Sequence, residues 1–139
     1  FDQVLAAIRR RNGSCVPNKG LIPTELHRRI GGLRRHAGGD FQADWPLMLR
    51  LYAQGPILRL AEPLYVKRLL DTGISAGWPS DAATWEAMLD DAEAALNAAP
   101  FGPLRRLRLK LEMRLRFGRA GWPARLPGRL RRRLIRWLG

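Results

Sequence analysis

Apolar residues recur every three or four positions in five stretches of the chain, a spacing that buries one face of a helix. The predicted helices cover residues 1–11, 24–30, 46–54, 81–99 and 130–138. Capping residues support two of the starts, because Thr24 and Ser80-Asp81 directly precede their apolar stripes. Gly31-Gly32, Gly55 and Pro100 follow three of these stretches and predict where the helices end. The chain is therefore expected to be largely helical.

Residues 103–117 do not follow this spacing. Leucines alternate with arginines over residues 107–117, which fits the period of a strand. The residue types nevertheless favour a helix, since Leu, Arg, Lys, Glu and Met are strong helix formers and β-branched residues are absent. We predict a helix with apolar residues on two opposite sides. Short strands are predicted at residues 20–22, 56–60 and 64–66, so the fold class is mostly α-helical with two or three short strands.

Charge divides the chain at about residue 100. Residues 1–99 carry 12 Lys/Arg and 11 Asp/Glu, whereas residues 100–139 carry 13 and 1, so nearly all of the formal charge of +13 belongs to the last forty residues. We therefore predict two parts, residues 1–99 and a basic amphipathic helical tail at residues 100–139. Any electrostatic partner is expected to bind the tail.

The remaining composition excludes several classes of protein. The single cysteine, Cys15, cannot form an internal disulfide and has no metal-ligand spacing around it. No apolar run approaches the length of a membrane span, and no secretory signal is present. We therefore expect a cytoplasmic protein, which would lie at the inner face of the membrane if the tail binds lipid. The start at Phe1, already in a helical pattern, suggests a piece of a longer protein.

Asp44 stands out because it lies where a helix begins, between a glycine-containing loop and Pro46. An acidic residue in this position is commonly a helix cap. Its surroundings form an ordered pattern: a glycine pair comes about ten residues before it, and a helix ending Arg50-Leu51 follows. The segment Glu62-Pro63-Leu64 through Arg68 comes next.

This order and spacing, over roughly residues 15–80, resembles the C-terminal half of inverting family-two nucleotide-sugar glycosyltransferases of GT-A fold. In that family a Gly-Gly-Phe-like element lies below the acceptor site, and an acidic pair about ten residues later supplies the catalytic base. The resemblance implies an α/β parent protein in which residues 1–99 form the acceptor side. It also implies that Asp44 is the general base that deprotonates an acceptor hydroxyl, acting on a nucleotide sugar and a sugar or lipid-linked acceptor.

The resemblance also suggests substrate contacts. Gly31 and Gly32 match the glycine element, and the alternative for them is a simple helix stop. His36 is a candidate for substrate contact, and the alternative is an exposed loop histidine. Trp45 and Trp78 are candidates for packing against a sugar ring, and the alternative is that they belong to the core. Lys67 and Arg68 are candidates for binding the donor diphosphate, and the alternative is that both are solvated.

Two features depart from the family pattern. The acidic residue that usually precedes the base is Ala43 here, and the Asp-x-Asp motif that holds Mn²⁺ or Mg²⁺ and the nucleotide is absent. Asp90-Asp91 lies in a predicted helix and does not replace that motif. The metal and the nucleotide-binding half are expected in the parent protein, and residues 1–139 alone are expected to be inactive and to bind no metal.

A binding module is the alternative from a different class. The mixture of Trp, Leu and Arg in residues 130–138 is typical of a helix that lies on an anionic membrane, and residues 104–138 are the expected contact region. A plain solvated helix remains open for the same residues. Nucleic acid is disfavoured, because aromatic residues that stack on bases are sparse among the arginines and no nucleic-acid motif is present.

Overall fold

The computed structural model describes residues 8, 20–40, 42–58, 62, 72, 81–120 and 125–138. Five helices follow one another in these ranges: α1 (Thr24–Arg29), α2 (Asp44–Tyr52), α3 (Ala82–Ala98), α4 (Pro103–Phe117) and α5 (Gly128–Leu138). Ile8 is also helical. Helix α2 packs on α3, α3 on α4 and α4 on α5. The described part of the protein is therefore mostly helical, as the sequence predicts.

The short strands predicted within the described residues are not formed. Residues 20–22 and 56–58 are irregular, while residues 59–60 and 64–66 lie outside the described residues. Across the described ranges, strand-like pairing is limited to one isolated bridge between His36 and Gly39. A strand needs a neighbour for its backbone hydrogen bonds, and the described residues form no paired strand at these two segments. The prediction was wrong at these positions; the α/β parent stays a prediction.

The main hydrophobic core lies between α2, α3 and α4. Its buried members are Ile8, Leu49, Met88, Leu89, Ala92, Ala95, Leu96, Leu109 and Met113. The inner face predicted for α3 is confirmed, because Met88, Leu89, Ala92 and Leu96 are all buried. Helix α4 shares this core through Leu109 and Met113, so the change of composition at residue 100 is not a gap in packing.

Helix α2 is only nine residues long but is buried on both sides. Leu49 enters the main core, whereas Leu47 and Leu51, one turn apart, join Ile30 in a second, smaller cluster. Short helices are marginal in isolation and gain most of their stability from tertiary packing. The two clusters therefore fix α2 in position, together with the acidic residue at its first position.

The alternating sequence of residues 103–117 is a helix, as predicted, with apolar residues on two sides. One side is buried through Leu109 and Met113. On the other side Leu115 is buried, while Leu104 and Leu107 are 83% and 64% exposed. Arg114 fastens α4 to α3: its guanidinium donates to Glu93 at 2.5 Å and Glu86 at 2.6 Å, and also to Asp90. Burial works against the charged Arg114, but the bonds to Glu93 and Asp90 outweigh this effect and raise its pKa.

The helix boundaries correct two predicted details and confirm a third. Pro23 rather than Thr24 is the cap residue of α1, and α2 ends at Tyr52 with Ala53 as its cap, so Gly55 is not the capping residue. The predicted start of α3 is confirmed, because Asp81 is its N-cap and its carboxylate accepts hydrogen bonds from the Thr84 N–H at 2.9 Å and the Thr84 hydroxyl at 2.8 Å.

The cap of α3 makes a pH-dependent contribution to stability. The hydrogen bonds from Thr84 lower the pKa of Asp81 below its ordinary value of 3.8. A depressed carboxyl pKa stabilises the folded state above the unfolded pKa, and the contribution is lost as the pH falls through the folded pKa. We expect Asp81→Ala to lower the melting temperature at neutral pH and the deficit to shrink below pH 3.8.

Asp81→Asn is the matched control for this prediction. Its amide oxygen still accepts the Thr84 N–H but does not titrate, so the variant should retain most of the stability at neutral pH. Thermal unfolding followed by circular dichroism at several pH values measures all three proteins. A deficit for Asp81→Ala that stays constant down to pH 2 would contradict the titrating cap.

Candidate active site around Asp44

Asp44 is the first helical residue of α2 and is half-buried. The preceding residues form a tight turn, in which the Ala43 N–H donates to the Asp40 carbonyl at 3.2 Å and the Trp45 N–H to the Gln42 carbonyl at 2.9 Å. Gln42 has a left-handed backbone, with φ of 48°. Ala43 is the cap residue, so Asp44 lies inside the first turn, where a carboxylate is favoured by the helix dipole.

Pro46 occupies the third position of α2 and is buried. Its missing N–H costs nothing there, because the first N–H groups of a helix have no acceptor within the helix. The helix begins two residues before this proline, which corrects the predicted start at residue 46 and leaves Pro46 in the first turn. Between the turn at Gln42 and the proline ring, the backbone that carries Asp44 has little freedom.

Arg50 ties α2 to its neighbours on both sides. Its Nη2 donates to the Gly32 carbonyl at 2.9 Å, and its Nη1 lies 3.8 Å from the Asp91 carboxylate of α3. The side chain is only 10% exposed. Burial lowers the pKa of Arg50, Asp91 acts in the opposite direction, and nearby Arg34 lowers it further. The guanidinium remains protonated at neutral pH and links α1, α2 and α3.

Gly31 and Gly32 end α1 with two left-handed residues, at φ of 78° and 60°. The Gly31 N–H donates to the Arg28 carbonyl, and the Gly32 N–H to the His27 carbonyl, both at 3.0 Å. A side chain at Gly32 would bring its Cβ to 2.9 Å from the His27 ring. This geometry confirms the helix stop and presents the Gly32 carbonyl to Arg50; contact with a substrate stays a prediction.

His36 is buried, which corrects the expectation of an exposed loop histidine. Its ring is folded under the turn at Gly38, whose N–H donates to His36 Nδ1 at 3.0 Å. The same turn abuts α3, since a Cβ at Gly38 would lie 3.1 Å from the Thr84 carbonyl. Gly38 and Gly39 allow this tight turn. The preceding arginines, Arg34 and Arg35, made the segment look like an exposed basic loop, so the burial of His36 was not predicted. His36 positions the loop before Asp44.

Trp45 belongs to the core and to a cleft at once. Its ring meets Phe117 edge to face, with centroids 5.2 Å apart and planes at 75°. It also lines a cleft of about 730 Å³ between the start of α2 and helices α3, α4 and α5. One ring therefore packs in the core and also lines the cleft, and its contact with a sugar ring stays a prediction. Asp44 itself is not among the residues that line the cleft.

Sequence reasoning missed several residues of this cleft. Trp85 forms another wall and is covered by Arg119, whose guanidinium carbon lies 4.1 Å from the ring centroid. Glu86 accepts from the backbone N–H of Arg119 at 2.7 Å and thereby holds that arginine in place. In the sequence, the only sign of this contact is a cation, Arg119, directly after the helix end at Gly118. The residue that binds it, Glu86 of α3, is 33 positions away and could not be identified from the sequence.

Three sequence-predicted site residues, Lys67, Arg68 and Trp78, lie outside the described residues. Their predicted contacts with the donor diphosphate and the sugar ring stay predictions. Glu62 is described and exposed.

The described residues do not fit a divalent metal. Within those ranges, no three His, Cys, Asp or Glu residues come close enough to bind an ion together. The adjacent carboxylates of α3 already have cationic partners, since Asp90 binds Arg114 and Asp91 faces Arg50.

Comparison with known protein families, curated proteins and solved structures finds no match to this chain. A separate finding concerns the helices: over the ranges that the structure describes, none has both the length and the apolar character that crossing a membrane requires.

The Arg50 bridge predicts a large loss of stability on truncation. Arg50→Ala leaves the Gly32 carbonyl and the Asp91 carboxylate without this cation in a mostly buried position. We expect a cost of about 2–4 kcal/mol in the free energy of unfolding, measured by urea denaturation.

Arg28→Ala is the matched control, because Arg28 makes an ion pair with Glu25 at 2.7 Å while its side chain is 71% exposed. Such a surface pair contributes at most about 0.5 kcal/mol. Equal losses in the two variants would show that Arg50 is not the link between the helices.

Proposed function

We propose that the chain is the acceptor-side part of an inverting nucleotide-sugar glycosyltransferase, with Asp44 as its general base. In this proposal residues 1–99 belong to a GT-A parent whose nucleotide-binding half lies outside residues 1–139. The proposal rests on the resemblance in residues 15–80 and on the contacts that those residues make.

One observation carries most of the support. The glycine pair, the helix that begins at Asp44 and the arginine near its end are separate elements of the sequence pattern, and the Arg50–Gly32 hydrogen bond of 2.9 Å joins them. Residues 18 positions apart are thereby held as one unit. A catalytic base must be held in a fixed position relative to the floor of its acceptor site, and this bond supplies such a connection.

The chemistry requires one proton transfer and one displacement. Asp44 accepts the proton of an acceptor hydroxyl as the hydroxyl oxygen attacks the anomeric carbon of the donor. The bond from that carbon to the diphosphate oxygen breaks on the opposite face, and the nucleoside diphosphate leaves with the electron pair. Attack from the opposite face inverts the configuration. A half-buried carboxylate in a first helical turn suits this role, because it is fixed while still reachable.

The cleft beside Asp44 supports an acceptor of carbohydrate type. Trp45 and Trp85 offer aromatic surfaces, and the exposed Arg132 lies at the same cleft. Aromatic rings pack against the apolar faces of sugar rings, while cations bind anionic substituents. The cleft begins at Gln42 and Trp45, the residues on either side of the Ala43-Asp44 pair.

An uncovered apolar hollow supports the expected missing half. It has a volume of about 460 Å³ and lies between α1 and the end of α2. Leu21 and Leu58, at its edge, are 104% and 90% exposed. Contiguous apolar surface of this kind commonly marks a region that another part of a protein covers. In the proposed parent, that part is the nucleotide-binding sheet, which also brings the Asp-x-Asp metal motif that the sequence of residues 1–139 does not contain.

Substitution of the base in the complete enzyme tests the proposal. We expect Asp44→Asn to reduce the rate of sugar transfer by about 10²- to 10⁴-fold, because the amide cannot accept the proton. Binding of the nucleotide sugar should be unchanged, since the donor half does not depend on Asp44. Release of nucleoside diphosphate in the presence of acceptor measures transfer, and calorimetry with the donor measures binding.

Asp40→Asn is the matched control, four residues upstream. Asp40 is exposed and pairs with Arg35 at 3.2 Å, so its loss should leave the rate within about twofold of wild type. Full activity of Asp44→Asn would reject the assignment of the base. An equal loss of activity in both variants would indicate that the loop, and not the carboxylate of Asp44, is what matters.

A further inference from the structure

Helices α4 and α5 form an antiparallel pair that is tied at both ends by arginines. Near one end the Arg108 side chain donates to the Leu138 carbonyl, and near the other Arg131 Nη2 donates to the Gly118 carbonyl at 3.2 Å. Arg131 also donates to the Leu115 carbonyl. We call residues 103–138 the basic hairpin. Helix α5 is thus held against α4 at both ends, and its opposite side faces outward.

The exposed charge of the basic hairpin is of one sign. Residues 100–139 contain one acidic residue, Glu112. Glu112 is completely buried and accepts from Arg116 at 2.9 Å. The carboxylates of α3 that face α4 are engaged by Arg114 and Lys110 on its inner side. Three exposed arginines, Arg129, Arg133 and Arg136, line the outer side of α5, while the exposed Arg132 borders the cleft beside Trp45.

An apolar stripe runs beside these arginines. Leu130 and Trp137 are seven residues apart, which places them on one line two helical turns long, and they are 44% and 80% exposed. The half-buried Leu134 lies between them, while Leu138 is buried against α4. Helix α5 therefore has one apolar edge that packs on α4 and a second that faces outward.

Helix α4 extends the apolar surface at the same end. Leu104 and Leu107 are 83% and 64% exposed and lie within one turn of Arg108. Because Arg108 reaches the carbonyl of Leu138, these leucines are at the end of the hairpin where Trp137 lies. Leu104, Leu107 and Trp137 are thus exposed at the same end of the hairpin as the exposed Arg108 and Arg136.

We propose that this face of the basic hairpin docks on the surface of an anionic lipid bilayer. Trp and Leu side chains enter the interfacial region, where tryptophan in particular is favoured, and the arginines contact lipid phosphates. The inference does not depend on sugar transfer. It deals with attachment to a surface, and either function can fail without the other.

Charge and shape favour lipid over other occupants. A second copy of the chain would bring two arginine-rich faces together, which is electrostatically unfavourable. Single-stranded nucleic acid is bound largely through stacked aromatic rings, whereas this face exposes mainly leucines next to its arginines. A bilayer surface satisfies the apolar and the cationic side chains together.

Vesicle co-sedimentation of the full-length protein tests the proposal. The vesicles contain equal parts of phosphatidylcholine and phosphatidylglycerol, with pure phosphatidylcholine as the neutral comparison. We expect the wild type to bind the anionic vesicles at least about tenfold more tightly, and Arg129→Gln/Arg133→Gln/Arg136→Gln to lose about tenfold or more of that affinity. Trp137→Ala should weaken binding severalfold.

The matched control removes three charges elsewhere. Arg28→Gln/Arg29→Gln/Arg35→Gln alters exposed arginines of α1 and the following loop, and its affinity should stay within about twofold of wild type. Quenching of tryptophan fluorescence by bilayer-embedded brominated lipid should be strong in the wild type and clearly weaker in Trp137→Ala.

The outcomes separate the alternatives. Equal affinity for neutral and anionic vesicles, or the same loss in both triple variants, overturns docking through the hairpin. Absence of vesicle binding together with tight binding to a single-stranded oligonucleotide, measured by fluorescence anisotropy, would replace the bilayer with nucleic acid. Concentration-dependent dimerisation that is abolished by Trp137→Ala, again without vesicle binding, would assign the face to a second copy of the chain.

Discussion

The buried guanidinium of Arg50 is the interaction on which the geometry around Asp44 depends. It reaches the Gly32 carbonyl on one side and the carboxylate of Asp91 on the other, and so joins the end of α1, the whole of α2 and the middle of α3. A nine-residue helix has little stability of its own. The direction of α2, and with it the position of the carboxylate at its start, follows from this bridge and from the two apolar clusters on either side.

Much of the helical architecture follows from local signals in the sequence. Residues 81–98 combine a capping aspartate, Asp81, with a clear apolar stripe, and both predicted features are present. Residues 103–117 show that residue type can outweigh periodicity, because strong helix formers prevailed over an alternating pattern. The predicted strands at residues 20–22 and 56–58 failed for a non-local reason: a strand depends on a neighbour that the sequence of the segment does not reveal.

The candidate site was predictable in its backbone elements but not in its side-chain partners. The glycine stop and the helix start at Asp44 are local features. The burial of His36 and the pairing of Arg50 with Gly32 arise from contacts between residues distant in sequence. The basic residues show most clearly what the sequence does not reveal. The last forty residues contain 13 Lys/Arg, and the sequence does not indicate which of them bind other helices and which face solvent. The structure separates those that fasten helices, such as Arg114 and Arg131, from those of α5 that face outward.

A base at Asp44 implies a particular stereochemical outcome, which can be measured directly. The complete enzyme would be supplied with a panel of nucleotide sugars of known anomeric configuration and a panel of acceptors, and the new glycosidic bond would be examined by proton NMR. With Asp44 as the base of a direct displacement, the product is expected to have the anomeric configuration opposite to that of the donor. A product that retains the configuration of the donor would contradict the assignment of Asp44 as the base of an inverting transfer.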